Sequence, residues 1–191
     1  MKNALSLSAL LATLAAPVVA APEAFTLDSS HSQIIFSYDH LGYSTTFGMF
    51  SGFAGEIMFD QENPENSTVS VSMPTASMFT GWEQRDAHFT SADLLNAAEH
   101  ELVSFTSTSI EVTGEDTANI TGDLTLNGVT QSVVLDAKLN KVAPHPRAQK
   151  LWAGFDATTT LLRSDFNAGM AAPFVSDEVE VRISIEAEKA E

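Results

Sequence analysis

From Val179 to Glu188 the chain alternates without a fault. Val179, Val181, Ile183, Ile185 and Ala187 fall on one parity, and Glu180, Arg182, Ser184, Glu186 and Glu188 on the other. Successive side chains of a strand point to opposite faces, so this pattern belongs to antiparallel sheet with one dry face and one wet one. It recurs through the chain. Ile34, Phe36 and Tyr38 share a parity, with Ser37 and Asp39 on the other. Val69, Val71 and Met73 alternate with serines, and Ile120, Leu124 and Leu126 with Asn119, Thr121, Asp123 and Thr125; Val133, Leu135, Ala137 and Leu139 follow.

Turn chemistry separates these runs at short intervals. Asn63-Pro64-Glu65-Asn66, Thr113-Gly114-Glu115-Asp116 and Leu126-Asn127-Gly128-Val129 are the clearest cases. Asn-Gly is the favoured pair for a two-residue hairpin. One helical pattern is expected over Ser91–Ala98, with Ser91 as N-cap and Asp93 in the first turn. Many short strands in one domain leave a sandwich or a barrel. The segment from Phe47 to Gly55 packs Gly48, Gly52 and Gly55 between Phe47, Phe50 and Phe53. Glycine within a strand marks a bulge, a corner or a close approach, which favours a sharply bent, closed sheet. A closed sheet of this size either fills its interior or holds one ligand. The 12 Phe against two Trp and two Tyr weight the aromatics toward the ring without a polar handle.

The two ends set the context. Lys2, an uncharged apolar run from Ala4 to Ala16 and the small residues Val18-Val19-Ala20 make residues 1–20 an export signal cut after Ala20. The run falls short of the ~20 apolar residues of a membrane span. The mature domain is then 21–191, with periplasmic localisation expected and no stable membrane insertion. Losing Lys2 takes the 9 basic residues to 8 against 25 acidic ones, and the net charge from −16 to −17. That charge repels nucleic acid and anionic lipid surfaces. The absence of cysteine excludes disulfides, thiol catalysis and thiolate-ligated metal.

Chemistry-bearing residues are few. The five histidines (His31, His40, His88, His100 and His145) show no metal-ligand spacing, so neither a metal nor a cofactor is expected. No nucleophile elbow or glycine-rich phosphate loop is present. Arg85, Asp86 and His88 form a compact polar cluster. Asp86 and His88, two apart on an extended segment, would serve as an acid–base pair in an enzyme, or with Arg85 would pin a loop over a barrel mouth. Arg163 and Asp165 repeat that spacing, as a clasp across an extended chain or an anion contact.

In order and spacing these pieces resemble the YceI family of polyisoprenoid-binding, lipocalin-like exported proteins. The matching elements are Leu27-Asp28 with His31-Ser32, Phe36 and His40, Phe47-Gly48 with Phe50-Ser51-Gly52, and Gly55-Glu56-Ile57. Arg85-Asp86 with His88, Ser91 with Asp93-Leu94-Leu95, and Phe105-Thr106-Ser107-Thr108 follow. Gly122-Asp123-Leu124-Thr125-Leu126 with Gly128-Val129-Thr130, Arg163-Ser164-Asp165-Phe166 and Asp177-Glu178-Val179 complete the set. Asn127 stands where relatives usually carry histidine, Glu101 where they carry proline, and Asn167-Ala168 are inserted before Gly169. The resemblance implies an all-β, extended antiparallel lipocalin-like β-barrel with one short helix, enclosing a polyisoprenoid or quinone-like lipid. Phe36, Tyr38, Phe47, Phe50, Phe53, Phe105 and Leu124 are the expected apolar wall, and Arg85, Asp86 and His88 the headgroup contacts. Twenty carbons removed from water give on the order of 16 kcal/mol gross, enough to hold such a chain without a covalent step after ordering costs. The expected function is an exported carrier or store without catalysis. The alternative is a lipid-modifying enzyme using His88 and Asp86. A homodimer through an exposed edge of the last strand is also compatible with the pattern.

Overall fold

The computed structural model describes residues 21–191, so the signal over 1–20 lies outside the described residues. Ten strands form one antiparallel sheet. They are β1 (Glu23–Leu27), β2 (Gln33–His40), β3 (Ser44–Phe50), β4 (Ala54–Phe59), β5 (Thr68–Pro74), β6 (Leu102–Val112), β7 (Thr117–Leu126), β8 (Val129–Pro144), β9 (Leu151–Leu162) and β10 (Glu178–Lys189). The sheet runs β4-β5-β6-β7-β8-β9-β10, and β1 pairs with both β4 and β10, which closes the barrel.

Ten strands occupy eight positions because the first two are broken. Both β1 and β2 lie along the same edge of β10, with Leu27 opposite Ala187 and Gln33 opposite Ser184. After the turn at 41–43 the chain returns as β3 against β2, breaks at 51–53, and continues as β4 against β1. That second break is the glycine- and phenylalanine-rich segment, so the bend expected there is realised as an interruption between two strands. Across the first break the Asp28 N–H donates to the Glu186 carbonyl at 2.8 Å, and His31 Nδ1 meets Asp28 Oδ2 at 2.6 Å.

The Asn127-Gly128 hairpin joins β7 and β8 with φ of 52° and 71°, the left-handed pair that a tight twisted hairpin requires. Two expectations change. β10 is flanked by β9 on one side and by β1 and β2 on the other, so the last strand has no free edge with which to dimerise. The helix spans Glu83–Thr90 (α1), not 91–98. Glu83-Gln84-Arg85 are good helix formers, and Glu83 and Asp86 place acid in the first turn, where the helix dipole favours it. Ser91 ends this helix rather than starting another: its hydroxyl donates to the His88 carbonyl at 2.7 Å. The residues beyond it form turns, with Asn96 at φ 44°.

Segment 75–101, which carries α1, leaves the sheet between β5 and β6. It touches the outer edge of β3 through a two-way backbone pairing of Met49 and Phe79, 2.9 Å each way. At the other end, where β1 and β4 close the barrel, Phe25, Phe59 and Phe155 stack edge to face with centroids 6.0 and 5.5 Å apart. Ala153 and Ala187 pack there with no exposed surface.

Candidate functional site

The interior is hollow. A cavity of about 700 Å³ runs up the barrel from Phe155 toward α1, within the range of pockets that enclose a small apolar ligand. Strand parity builds its wall. Val179, Val181, Ile183 and Ile185 of β10 face in, while Glu180, Arg182 and Ser184 between them face out. Ile34, Phe36 and Tyr38 of β2, Val69, Val71 and Met73 of β5, and Leu124 and Leu126 of β7 also face in.

Two glycines let rings lie flat on this wall. Phe36 sits opposite Gly48, and a Cβ on Gly48 would come within 2.2 Å of its Cζ. A Cβ on Gly122 would come within 2.4 Å of Phe105 Cζ. The glycines thus take the place of side chains that would push these rings into the lumen. Of the seven wall residues named from the sequence, the cavity is lined by Phe36, Tyr38, Phe50, Phe53, Phe105 and Leu124. Phe47 is not among them. It points outward and is 61% exposed, because it has the opposite strand parity to Phe50.

The mouth lies between α1, the β2–β3 turn and the loop before β10. Arg85, His88 and Phe89 share one face of α1 at i, i+3 and i+4, and all three line the cavity. Phe89 packs on Tyr38 with ring centroids 6.1 Å apart. Asp86 departs from the expected cluster: one residue on from Arg85, it turns away and does not line the cavity. Its Oδ1 accepts from the Thr80 N–H at 2.8 Å and the Thr80 hydroxyl at 2.5 Å. Arg85 Nε donates to the same hydroxyl at 2.9 Å, and its guanidinium lies over Trp82, 5.6 Å from the ring centre. Among the described residues no hydrogen bond or ion pair engages the two terminal amines of Arg85. Because the segment is helical rather than extended, Asp86 and His88 point in different directions and do not form an acid–base pair.

Arg163 also reaches the mouth, in a different role. Residues Arg163–Phe166 form a 3-10 turn, so Arg163 and Asp165 do not pair across an extended chain. The guanidinium instead donates to four carbonyls of the following loop: Ser176 and Val175 at 2.9 Å, Ala168 at 2.8 Å and Met170 at 3.1 Å. Ser164 provides the clasp, its N–H and hydroxyl donating to Asp177 at 2.8 and 2.6 Å. Those bonds, the hydroxyl first, hold the Asp177 carboxyl below its ordinary range. Asn127 donates its side-chain amide to the Phe166 carbonyl at 3.0 Å, tying the β7–β8 hairpin to the same turn. Asn167, in the inserted pair, takes a left-handed φ of 57° that ends the turn.

The histidines are dispersed. His145 packs on Trp152, and the His100 ring lies where a side chain on Gly128 would sit. Among the described residues one group, Asp28, His31 and Glu186, brings metal-ligating atoms within 4.8 Å of one another. Its members are already bonded, His31 to Asp28 and Glu186 to Trp152 Nε1 at 3.0 Å. Sequence reasoning missed the part of the lining supplied by Trp82, Gln84, Leu94 and Leu95. Leu94 and Leu95 carry no alternation because they lie on turns.

Fold and site together define an antiparallel β-barrel built around an apolar cavity that opens at a polar mouth. The chain belongs to the family of the YceI-like domain, whose model matches residues 25–187. A UPF0312 protein of Ectopseudomonas mendocina is 44% identical over 97% of each chain. Protein YceI of Escherichia coli is 41% identical over 90% of this chain and 89% of its own. Among solved structures, the Campylobacter jejuni YCEI protein is 30% identical with a TM-score of 0.72, covering 80% of this chain and 90% of that one. A polyisoprenoid-binding domain from Saccharophagus degradans, implicated in plant cell wall breakdown, shares the fold at 14% identity and a TM-score of 0.68, over 88% and 99% of the two chains.

Proposed function

We propose that this protein is an exported carrier or store of a long-chain isoprenoid or quinone-like amphiphile, held without covalent chemistry in the barrel. One observation carries the reading: a cavity of about 700 Å³ with an apolar wall meets, at its mouth, a cation with uncommitted donors. The tail replaces water along the wall, and each buried CH₂ contributes roughly 0.8 kcal/mol. Arg85 offers its terminal amines to a phosphate or carbonyl head, and His88, on the same helix face, supplies a second contact. Asp86 acts one step back by holding Thr80, which in turn holds Arg85. The polyisoprenoid-binding description of the Saccharophagus degradans domain supports the ligand class, and the signal pattern over 1–20 supports a periplasmic location.

Protein purified from a lipid-replete host is extracted with organic solvent and the extract analysed by mass spectrometry. A stoichiometric isoprenoid or quinone-like lipid is expected, reduced in Arg85→Ala. A lipid-free extract overturns the carrier reading, and an unchanged lipid content in Arg85→Ala overturns the headgroup assignment alone. Cell fractionation with a carboxy-terminal tag tests export: recovery with the cytoplasmic fraction, signal uncut, rules it out.

A further inference from the structure

Three loops meet at the mouth, and each carries a large apolar side chain into solvent. Tyr43 in the β2–β3 turn is 89% exposed, Trp82 before α1 is 57% exposed, and Phe174 in the loop before β10 is 75% exposed. Leu41 and Met170 stand beside them, also exposed. The loops are fixed rather than trailing. The Leu41 N–H donates to the Phe174 carbonyl at 3.1 Å, the Ser176 N–H to the Asp39 carbonyl at 3.0 Å, and Arg163 holds the third loop by four carbonyls.

The segments that carry these rings are themselves free of charge. Segments 41–55, 66–82 and 167–176 contain no Asp, Glu, Lys or Arg, in a chain with 25 acidic residues. Of the charges that border these segments, Asp39 accepts from the Gly42 N–H at 2.7 Å and Asp86 from Thr80, Arg85 lies over the Trp82 ring, and Glu83 is exposed at the start of α1. Tryptophan and tyrosine are scarce here, two of each. One of each sits on the rim, while Tyr38 lines the cavity and Trp152 is bonded to Glu186. Exposed aromatic rings with a polar edge, on uncharged segments around an apolar channel, match the headgroup layer of a bilayer, where Trp and Tyr concentrate.

We propose that this rim docks the mouth on the surface of an electrically neutral lipid bilayer, with Tyr43, Trp82 and Phe174 entering the headgroup layer. The proposal rests on the carrier reading only in giving the contact a purpose. An occupant too apolar to cross water as a monomer passes between membrane and cavity at this contact. Strong net negative charge makes anionic bilayers the poorer surface. The contact is peripheral, since separate loop tips insert and no segment spans.

The probe is a phosphatidylcholine vesicle with a brominated-lipid counterpart. Trp152→Phe leaves Trp82 as the only tryptophan, and its emission is expected to shift to the blue with vesicles and to be quenched by brominated chains. Trp82→Phe, leaving Trp152, is expected to show neither. In co-sedimentation Tyr43→Ser with Phe174→Ser lowers the bound fraction about tenfold or more at an unchanged melting temperature, and phosphatidylglycerol in the vesicles weakens binding of the wild type. No sedimentation and no Trp82 shift overturns the proposal. So does a wild-type dimer that the double substitution dissolves while vesicles stay unbound, which would assign the rim to a second copy. Lipid recovered by extraction from a protein that ignores vesicles leaves the carrier reading standing without the docking. Vesicle binding by a protein whose extract is empty does the reverse.

Discussion

The two ends of the barrel are held by opposite means. At the β1 end, Phe25, Phe59 and Phe155 interlock with Ala153 and Ala187, and the sheet closes on itself through β1. At the mouth the sheet is interrupted, and order comes from directed polar bonds: Asp86 on Thr80, Arg163 on four carbonyls, Ser164 on Asp177. Apolar contact is non-directional and tolerates no water, so it suits a plug. Hydrogen bonds fix loops in place while leaving a wet opening, so they suit a doorway. Evenly distributed interior packing would have filled the barrel.

Substitutions break this contrast in a graded way. Phe25→Ala removes a fully buried ring from the sealed end and is expected to lower stability by about 3–5 kcal/mol in denaturant unfolding. A smaller loss would mean that the stack is not what closes that end. Arg163→Ala strands four loop carbonyls and should lower stability by about 2–4 kcal/mol, with faster amide exchange confined to 167–177. Lysine cannot replace the planar fork at four acceptors, so Arg163→Lys should recover less than half of that loss. A matched pair of enlargements reports the packing directly. Ala187→Val, in the dense end, should lower stability by about 1–3 kcal/mol, while Ala157→Val, facing the cavity, should stay within about 0.5 kcal/mol of wild type. Equal effects would contradict a hollow interior.

The smallest effect lies at the first strand break. The hydrogen bond from His31 holds the Asp28 carboxyl below its ordinary value of 3.8, and the same bond raises His31 above 6.5. A lowered carboxylate stabilises above its unfolded pKa and loses that contribution as pH falls through the folded value. A raised imidazole stabilises below its unfolded pKa and loses its share as pH rises through the folded one. The pair therefore contributes between these limits and fades on both sides. Melting temperature should show a shallow maximum in mildly acidic solution, and Asp28→Asn should flatten it.

Much of this arrangement is legible in the order of the residues. Alternation in β2, β5, β7, β8 and β10 reports a real physical asymmetry, one face dry and one wet, and the Asn127-Gly128 turn states its geometry through two left-handed residues. The wall was readable where a ring followed strand parity, as at Phe36, Phe50 and Phe105. It misled at Phe47, where counting rings without tracking parity put an outward side chain inside. The helix lies ahead of the segment with the more helical composition, Leu94-Leu95-Asn96-Ala97-Ala98, because tertiary contacts use those leucines as turn residues over the cavity. The roles of Asp86 and Arg163 were out of reach from spacing. Apart from the Thr80 hydroxyl, their partners are a backbone amide and four carbonyls, and main-chain groups leave no signature in the identities of side chains.

The ring stack at the sealed end sets the order of events for any amphiphile that enters tail first. In the proposed carrier, one door makes arrival and departure mirror images: the donor releases the head last, and the acceptor receives it first. No newcomer pushes an occupant out ahead of it, so the barrel empties completely before it can be filled again.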